Sequence, residues 1–142
     1  MIRQATVRDV SEMAMLWDVM GAERDADGDY RAWAAQQTDG IRAGMVLAVV
    51  LDTPTGLKGF ADGALVYEPG TRKRTLVGRH LYVAPEARER GNAERLMWRL
   101  LALARQSGAE SLLTHGGPSA HAVEKLLGKT MRPHFTTKEI DL

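Results

Sequence analysis

The residues whose types and spacing suit chemistry gather in one run, Arg88-Glu89-Arg90-Gly91-Asn92-Ala93. It follows an apolar stretch, Leu81-Tyr82-Val83-Ala84-Pro85, and leads at once into an amphipathic one that reaches Ser107. A turn placed there leaves consecutive backbone N–H groups unpartnered at a helix N-terminus, where the dipole also favours negative charge. Small residues at Gly91 and Ala93 let a ligand lie against that backbone, so the run reads as a phosphate cradle for a nucleotide-like ligand. Nearby stand groups that can carry a proton. His80 precedes the apolar lead-in, His115 closes a later apolar run, His121 follows it, and Glu68 ends an earlier one. Imidazole exchanges protons near neutral pH, which suits acid–base work. Each of these side chains also fits a structural or surface role, and Arg88 and Arg90 also fit a solvated turn flanking a helix.

The elements that must hold these residues can be read from periodicity. Thr6-Val7-Arg8-Asp9 resembles a capping box with Asp in the usual Glu place, and Val10, Met13, Ala14, Trp17 and Met20 recur at helical spacing, so residues 7–20 read as a helix. Residues 21–29 are acidic and read as a loop; 30–42 read as a weaker helix carrying Tyr30, Trp33, Ala34 and Ile41. Met45 to Asp52 is a buried strand, Lys58 to Glu68 a second, and Thr75 to Val83 a third, with a turn at Asp52–Gly56 and a hairpin tip at Pro69–Arg74. The following helix shows Ala93, Leu96, Met97, Leu100, Leu101 and Ala104 on one face, and Gly108 stops it. Ala109 to His115 is a fourth strand. Ser119 caps a short helix with Ala122, Val123, Leu126 and Leu127, and Arg132 to Leu142 forms a last strand. Strand–helix–strand around 75–115 demands a parallel crossover, whereas the three-strand meander demands antiparallel pairs. The expected architecture is one α/β domain over residues 1–142, a mixed central sheet with helices on both faces.

Composition removes several classes. The chain has 142 residues, 44% hydrophobic and 26% charged, with a net charge of +1 and no cysteine. That charge exerts no long-range pull on nucleic acid, so a nucleic-acid partner is not expected. Thiolate zinc sites, disulfides and cysteine nucleophiles are excluded, and no metal is expected. The longest apolar run, Met45 to Leu51, is too short to span a bilayer, and the expectation is a cytoplasmic protein without a membrane partner. Asp25-x-Asp27-Gly28-Asp29 departs from a calcium loop, which needs its glycine later and a glutamate where Gln36 stands. With Glu23 it reads as a solvated acidic loop that can attract a cationic amine. Arg72-Lys73-Arg74 reads as a soluble hairpin tip, and Trp17, Trp33 and Trp98 as core or dimer contacts.

Arg88-x-x-Gly91-x-Ala93 matches the acyl-CoA-binding signature (Gln/Arg)-x-x-Gly-x-(Gly/Ala), and the Leu-x-Val-x-Pro lead-in at 81–85 and the element order also resemble the GNAT N-acetyltransferase superfamily. The resemblance implies an acetyl-CoA-dependent N-acetyltransferase. It places the pyrophosphate on the backbone of Arg88, Glu89, Arg90, Gly91, Asn92 and Ala93, and the pantetheine arm along Leu81, Tyr82 and Val83 as if it were another strand. It implies a strand N–H that polarises the acetyl carbonyl, and direct attack by a primary amine held in a ternary complex. A lysine-like amine is almost wholly protonated at pH 7, which costs roughly 4–5 kcal/mol to reverse, so a proton acceptor is required. His115, His80 and Glu68 are the candidates, His115 first because the family places the acyl group beside the strand it ends.

The family pattern on the last helix is Asn-x-x-Ala-x-x-x-Tyr. Here Ser119, Ala122 and Leu126 fill those places. Leu126 cannot donate a proton, and Ser119 is left to hydrogen-bond the pantetheine. The departure opens a second reading, a GNAT-fold module that binds acyl-CoA or a partner protein without turnover. The acceptor implied is an amine of a small molecule or a protein, and family habit allows a homodimer.

Overall fold

The computed structural model describes residues 1–142 except 24–27, 68–69, 71, 115–117, 129–131 and 135–136, and describes the backbone alone at Glu89, 118–122, 132–134 and 137–139. The chain runs β1 (Ile2–Gln4), a 3-10 turn (Val7–Asp9), α1 (Val10–Glu23), α2 (Tyr30–Arg42), β2 (Val46–Thr53), β3 (Gly56–Tyr67) and β4 (Arg74–Val83). A second 3-10 turn (Pro85–Arg90) leads into α3 (Asn92–Gln106), β5 (Ser111–Thr114), α4 (Pro118–Leu127), β6 (Arg132–His134) and β7 (Thr137–Asp141).

Among the described residues the strands form one 7-stranded sheet in the order β1-β2-β3-β4-β5-β7-β6. Every neighbouring pair is antiparallel except β4 and β5, which are parallel, as a crossover through α3 requires. The expected mixed sheet is the one found. β2 shows why it splits the core in two: Leu47, Val49 and Leu51 pack under α3, and Ala48 and Val50 pack under α1 and α2. Met13, Ala14, Met20 and Trp33 supply the helical side of the second core, with Trp17 stacked on Trp33 at 5.4 Å.

Several boundaries differ from the sequence expectation. Asp9 does reach back to the Thr6 N–H at 2.8 Å, but it caps a 3-10 turn, and α1 runs on to Glu23, three residues into the expected loop. Asp9 also takes two bonds from the Arg3 guanidinium, at 2.9 and 2.8 Å, which tie β1 to the head of α1. Asp29 serves as the N-cap of α2, accepting from the Arg31 and Ala32 N–H groups at 3.1 Å each. The expected single last strand is two, because β6 and β7 fold back as a hairpin. α4 begins at Pro118, so Ser119 sits in its first turn and does not cap it. No helix among the described residues is long and apolar enough to cross a membrane.

Candidate active site

β4 is the strand on which the site is built. It pairs with β3 from Tyr67↔Arg74 to Gly59↔Val83, and Arg79 is left over where the register shifts between Asp62 and Gly63. That extra residue is a β-bulge, and it inverts the alternation of the strand. Leu76 and Val83, an odd number of residues apart, therefore enter the same core under α3. His80 and Tyr82 are turned to the α1/α2 side, where each meets the rings or side chains of the second core. On its other edge β4 pairs with β5 only over Thr75–Val77. From Gly78 onward no strand among the described residues covers that edge.

The open edge borders a cleft of about 280 Å³ lined by Met20 and Glu23 of α1, Leu81, Tyr82 and Val83 of β4, Arg88 and Ala93. Two of these residues, Arg88 and Ala93, flank the junction of the Pro85–Arg90 turn with α3. A 3-10 turn satisfies its own later N–H groups by i→i+3 bonds, so the open donors lie from Gly91 into the first turn of α3. Gly91 makes the junction in the left-handed region (φ 66°, ψ 21°), which side chains with a Cβ enter at a cost. Asn92 fixes the junction from within: its buried amide donates to the Ala87 carbonyl at 2.8 Å and accepts from Arg95 at 3.1 Å.

A three-residue clasp spans the cleft. The Glu23 carboxylate accepts from the Tyr82 hydroxyl at 3.0 Å and from the Arg88 guanidinium at 2.9 Å, while Arg88 Nε donates to the Val83 carbonyl at 2.8 Å. Burial, and then the bond to Glu23, push the Tyr82 phenol above its ordinary value, which keeps it a hydroxyl donor. The Glu23 hydrogen bond pushes Arg88 upward as well. Arg88 thus holds a backbone carbonyl in the half of β4 beyond its pairing with β5.

Beside the bulge lies a polar cluster inside apolar surroundings. Asp62, on β3, and Gln37, on α2, are both 0% exposed, and Gln37 Nε2 donates to Asp62 Oδ2 at 2.8 Å. The other carboxylate oxygen meets His80 Nδ1, also at 2.8 Å. The imidazole is edge-on to Trp33 at 5.8 Å, tilted against Phe60 at 6.0 Å, and keeps 19% of its surface open.

The model of the acetyltransferase (GNAT) family matches residues 8–129. The chain belongs to the GNAT family. No curated protein is significantly similar to it in sequence. Among solved structures, a predicted acetyltransferase from Clostridium acetobutylicum, determined with acetyl-CoA, aligns with a TM-score of 0.79 at 14% identity, over 95% of this chain and 92% of that one. The enzyme AAC(6')-Iy, in complex with the bisubstrate analogue CoA-S-monomethyl-acetylneamine, aligns at 0.73 and 18% identity over 95% of both chains. A ribosomal-protein-alanine N-acetyltransferase from Brucella melitensis biovar Abortus aligns at 0.63 and 22% identity over 90% of this chain and 88% of that one. At these identities the likeness speaks for the fold.

Within this GNAT fold the sequence candidates separate. Leu81, Tyr82, Val83, Arg88 and Ala93 line one cleft, and Gly91 and Asn92 stand between Arg88 and Ala93 in the chain, at the junction of the turn with α3. Glu89 and Arg90 belong to the 3-10 turn before it. His80 stands next to Leu81 on the same strand. His115 and Glu68 lie outside the described residues, as do residues 24–27 of the expected 21–29 acidic loop, and nothing is described of the Ser119 and His121 side chains. Leu126 lines a different groove, about 630 Å³, shared with Gly91, Glu94, Arg95, Trp98 and Arg99. Trp98 is 51% exposed there, so it is not a core residue. Asp62 and Gln37 were missed. The available signal was a lone acid between Phe60-Ala61 and Gly63-Ala64 in an otherwise apolar strand.

Proposed function

We propose that the protein is an acetyl-CoA-dependent N-acetyltransferase acting on a primary amine by direct attack in a ternary complex. The observation that carries this reading is the uncovered edge of β4, which runs from the bulge through Leu81–Val83 into the left-handed Gly91 and the open N–H groups of α3. An extended amide-bearing arm suits the edge, and a pyrophosphate suits the helix start. The residues present therefore fit acetyl-CoA, with the arm along Leu81, Tyr82 and Val83 and the phosphates at Gly91, Asn92 and Ala93. Bound there, the thioester supplies an activated acetyl group.

The chain's own tasks are to hold that group, to exclude water, and to receive a proton from the incoming ammonium. The buried flank of β4 against α1 and α2 serves the second task, and His80 is placed for the third. Tyr82, held as a hydroxyl, is a donor bordering the cleft. The acceptor class is a primary amine of a small molecule or a protein. Calorimetric titration of acetyl-CoA into the purified protein, with desulfo-CoA and free ATP as controls, tests the reading. Micromolar binding selective for the CoA compounds over ATP is expected, followed by acetylated products when amines are screened by mass. Equal or absent binding of acetyl-CoA and ATP would overturn it.

A further inference from the structure

The cluster around Asp62 is polar inside an apolar core. Trp33, Phe60 and Tyr82 belong to the apolar core that surrounds it, and a buried carboxylate in such a place is commonly replaced by packed apolar residues with no loss of stability. It is also incompletely satisfied: Trp33 Nε1 and Gln37 Oε1 are both buried without a hydrogen-bond partner. Folds break the rule of polar satisfaction chiefly where function requires it. The only part of the cluster that reaches solvent is the His80 ring, on the residue next to Leu81 of the cleft.

The polarity of the cluster fixes its protons. A carboxylate only accepts hydrogen bonds, so both groups facing it must donate. Gln37 therefore presents its amide nitrogen to Oδ2, which leaves Oε1 without a partner. A neutral His80 ring that presents Nδ1–H to Oδ1 keeps its lone pair on Nε2. An aspartate behind a histidine holds the ring in one tautomer and one orientation, and offsets the charge the ring acquires when it takes a proton.

We propose that Asp62, braced by Gln37, is a positioning residue that keeps Nε2 of His80 available as the proton acceptor for the incoming amine. This inference rests on the acetyltransferase reading above. Nε2 takes one proton from the ammonium, whose nitrogen keeps the electron pair that bonds the acyl carbon. The carbon–sulfur bond then breaks, the second proton shed by the nitrogen goes to the leaving thiolate, and the imidazolium, its charge offset by Asp62, releases the first proton to water. The Arg79 bulge is what allows the arrangement, because an unbroken β4 would turn His80 to the α3 face.

Nitrogen-15 NMR of histidine-labelled protein reads the tautomer without any substrate, with His80→Gln assigning the resonance among the four histidines. The expected spectrum has Nδ1 protonated and Nε2 bare, and Asp62→Asn mixes the tautomers. Kinetically, Asp62→Asn is expected to lower kcat for a strongly basic alkylamine by about 10²–10⁴-fold while the acetyl-CoA affinity holds. For a weakly basic hydrazide, already neutral at pH 7, the loss is small. His80→Gln, on a partly open ring, repeats this pattern should Asp62→Asn fold poorly. An Nε2–H tautomer in the wild type, or equal losses for both acceptors, would overturn the positioning role while leaving acetyl-CoA binding intact. Absence of acetyl-CoA binding in the calorimeter would overturn the acetyltransferase reading, and this inference with it.

Discussion

Replacing Gly91 by alanine and by glutamate separates backbone strain from charge at the helix start. Gly91 sits at φ 66°, and a Cβ built there meets only Glu94 Oε2, at 3.2 Å, the movable end of a side chain. Space is therefore available, and the cost of Gly91→Ala is that of the left-handed conformation, about 1–2 kcal/mol. In a chain of this size that corresponds to a fall in Tm of roughly 3–8 °C. Gly91→Glu pays the same conformational cost and adds a carboxylate among the donors that start α3. Against a phosphate charge about 4 Å away, the repulsion is about 1 kcal/mol in bulk water and about 4 kcal/mol at the effective dielectric of a protein surface. One displaced hydrogen bond to a charged group adds about 1.5–3 kcal/mol. Together these predict acetyl-CoA binding weakened at least about 100-fold by glutamate, since each 1.4 kcal/mol is tenfold. Alanine, with no charge, is predicted to weaken it far less at the same Tm. Thermal melts and calorimetry on both variants give the comparison. Equal affinity for wild type and Gly91→Glu, in folded protein, would refute the assignment of the phosphates to this junction. Equal losses for both variants would refute the electrostatic part of the reasoning.

Other perturbations test the framework around the site. Leu126→Tyr places a hydroxyl in the groove beside Gly91 and Trp98, not in the cleft of Leu81–Val83, so kcat is expected to stay nearly unchanged. A tenfold rise, about 1.4 kcal/mol of barrier, would instead make this the place of a missing acid. Gly59→Ala drives a Cβ to 2.8 Å from the Tyr82 carbonyl oxygen and 3.2 Å from Leu96, and sheet backbone cannot yield as a side chain does. A loss of about 1–3 kcal/mol by denaturant melts is expected, with weaker acetyl-CoA binding because Tyr82 lines the cleft; unchanged values would show that the sheet gives way there. The Arg3 hydrogen bonds hold the Asp9 carboxyl below its ordinary 3.8, so their contribution is full above that pH and is lost as pH falls through the lower folded value. Asp9→Asn should cost about 1–3 kcal/mol at pH 7 and progressively less as pH falls through the lowered folded value, measured by urea melts across the range. A constant difference at all pH values would exclude the charge as its cause.

The order of elements was legible because each carries a long, regular pattern. Ten residues of β4 and fifteen of α3 give periodicity room to declare itself. β1 was not legible: three residues, Ile2-Arg3-Gln4, show no alternation, and they become a strand only because the Val49–Leu51 edge of β2 pairs with them. The final hairpin failed for the same reason, since strands of three and five residues read together as one. In the candidate site, the turn that ends at Gly91 was legible because it is a local device, made by residues consecutive in the chain. The clasp did not, because Glu23 meets Tyr82 and Arg88 from 59 and 65 residues away. Gln37, 25 residues from Asp62, was hidden in the same way.

A single added residue links these two kinds of information. Without the bulge, strict alternation through Arg79 would face His80 with Leu76, toward α3, and would turn Leu81 and Val83 toward α1 and α2. With it, the first half of β4 keeps Leu76 in one core and pairs with β5, while the second half restores Leu81 and Val83 to that core and delivers His80 and Tyr82 to the other face. The same strand thus ends its pairing with β5, opens an edge and presents polar side chains to the helices within about four residues of the bulge. A bulge sharpens the local twist, which carries the far half of a strand away from its parallel neighbour. Opening the edge and inverting the faces are therefore two consequences of one irregularity. That is why the cleft, the clasp and the Asp62 cluster all adjoin the same half of β4.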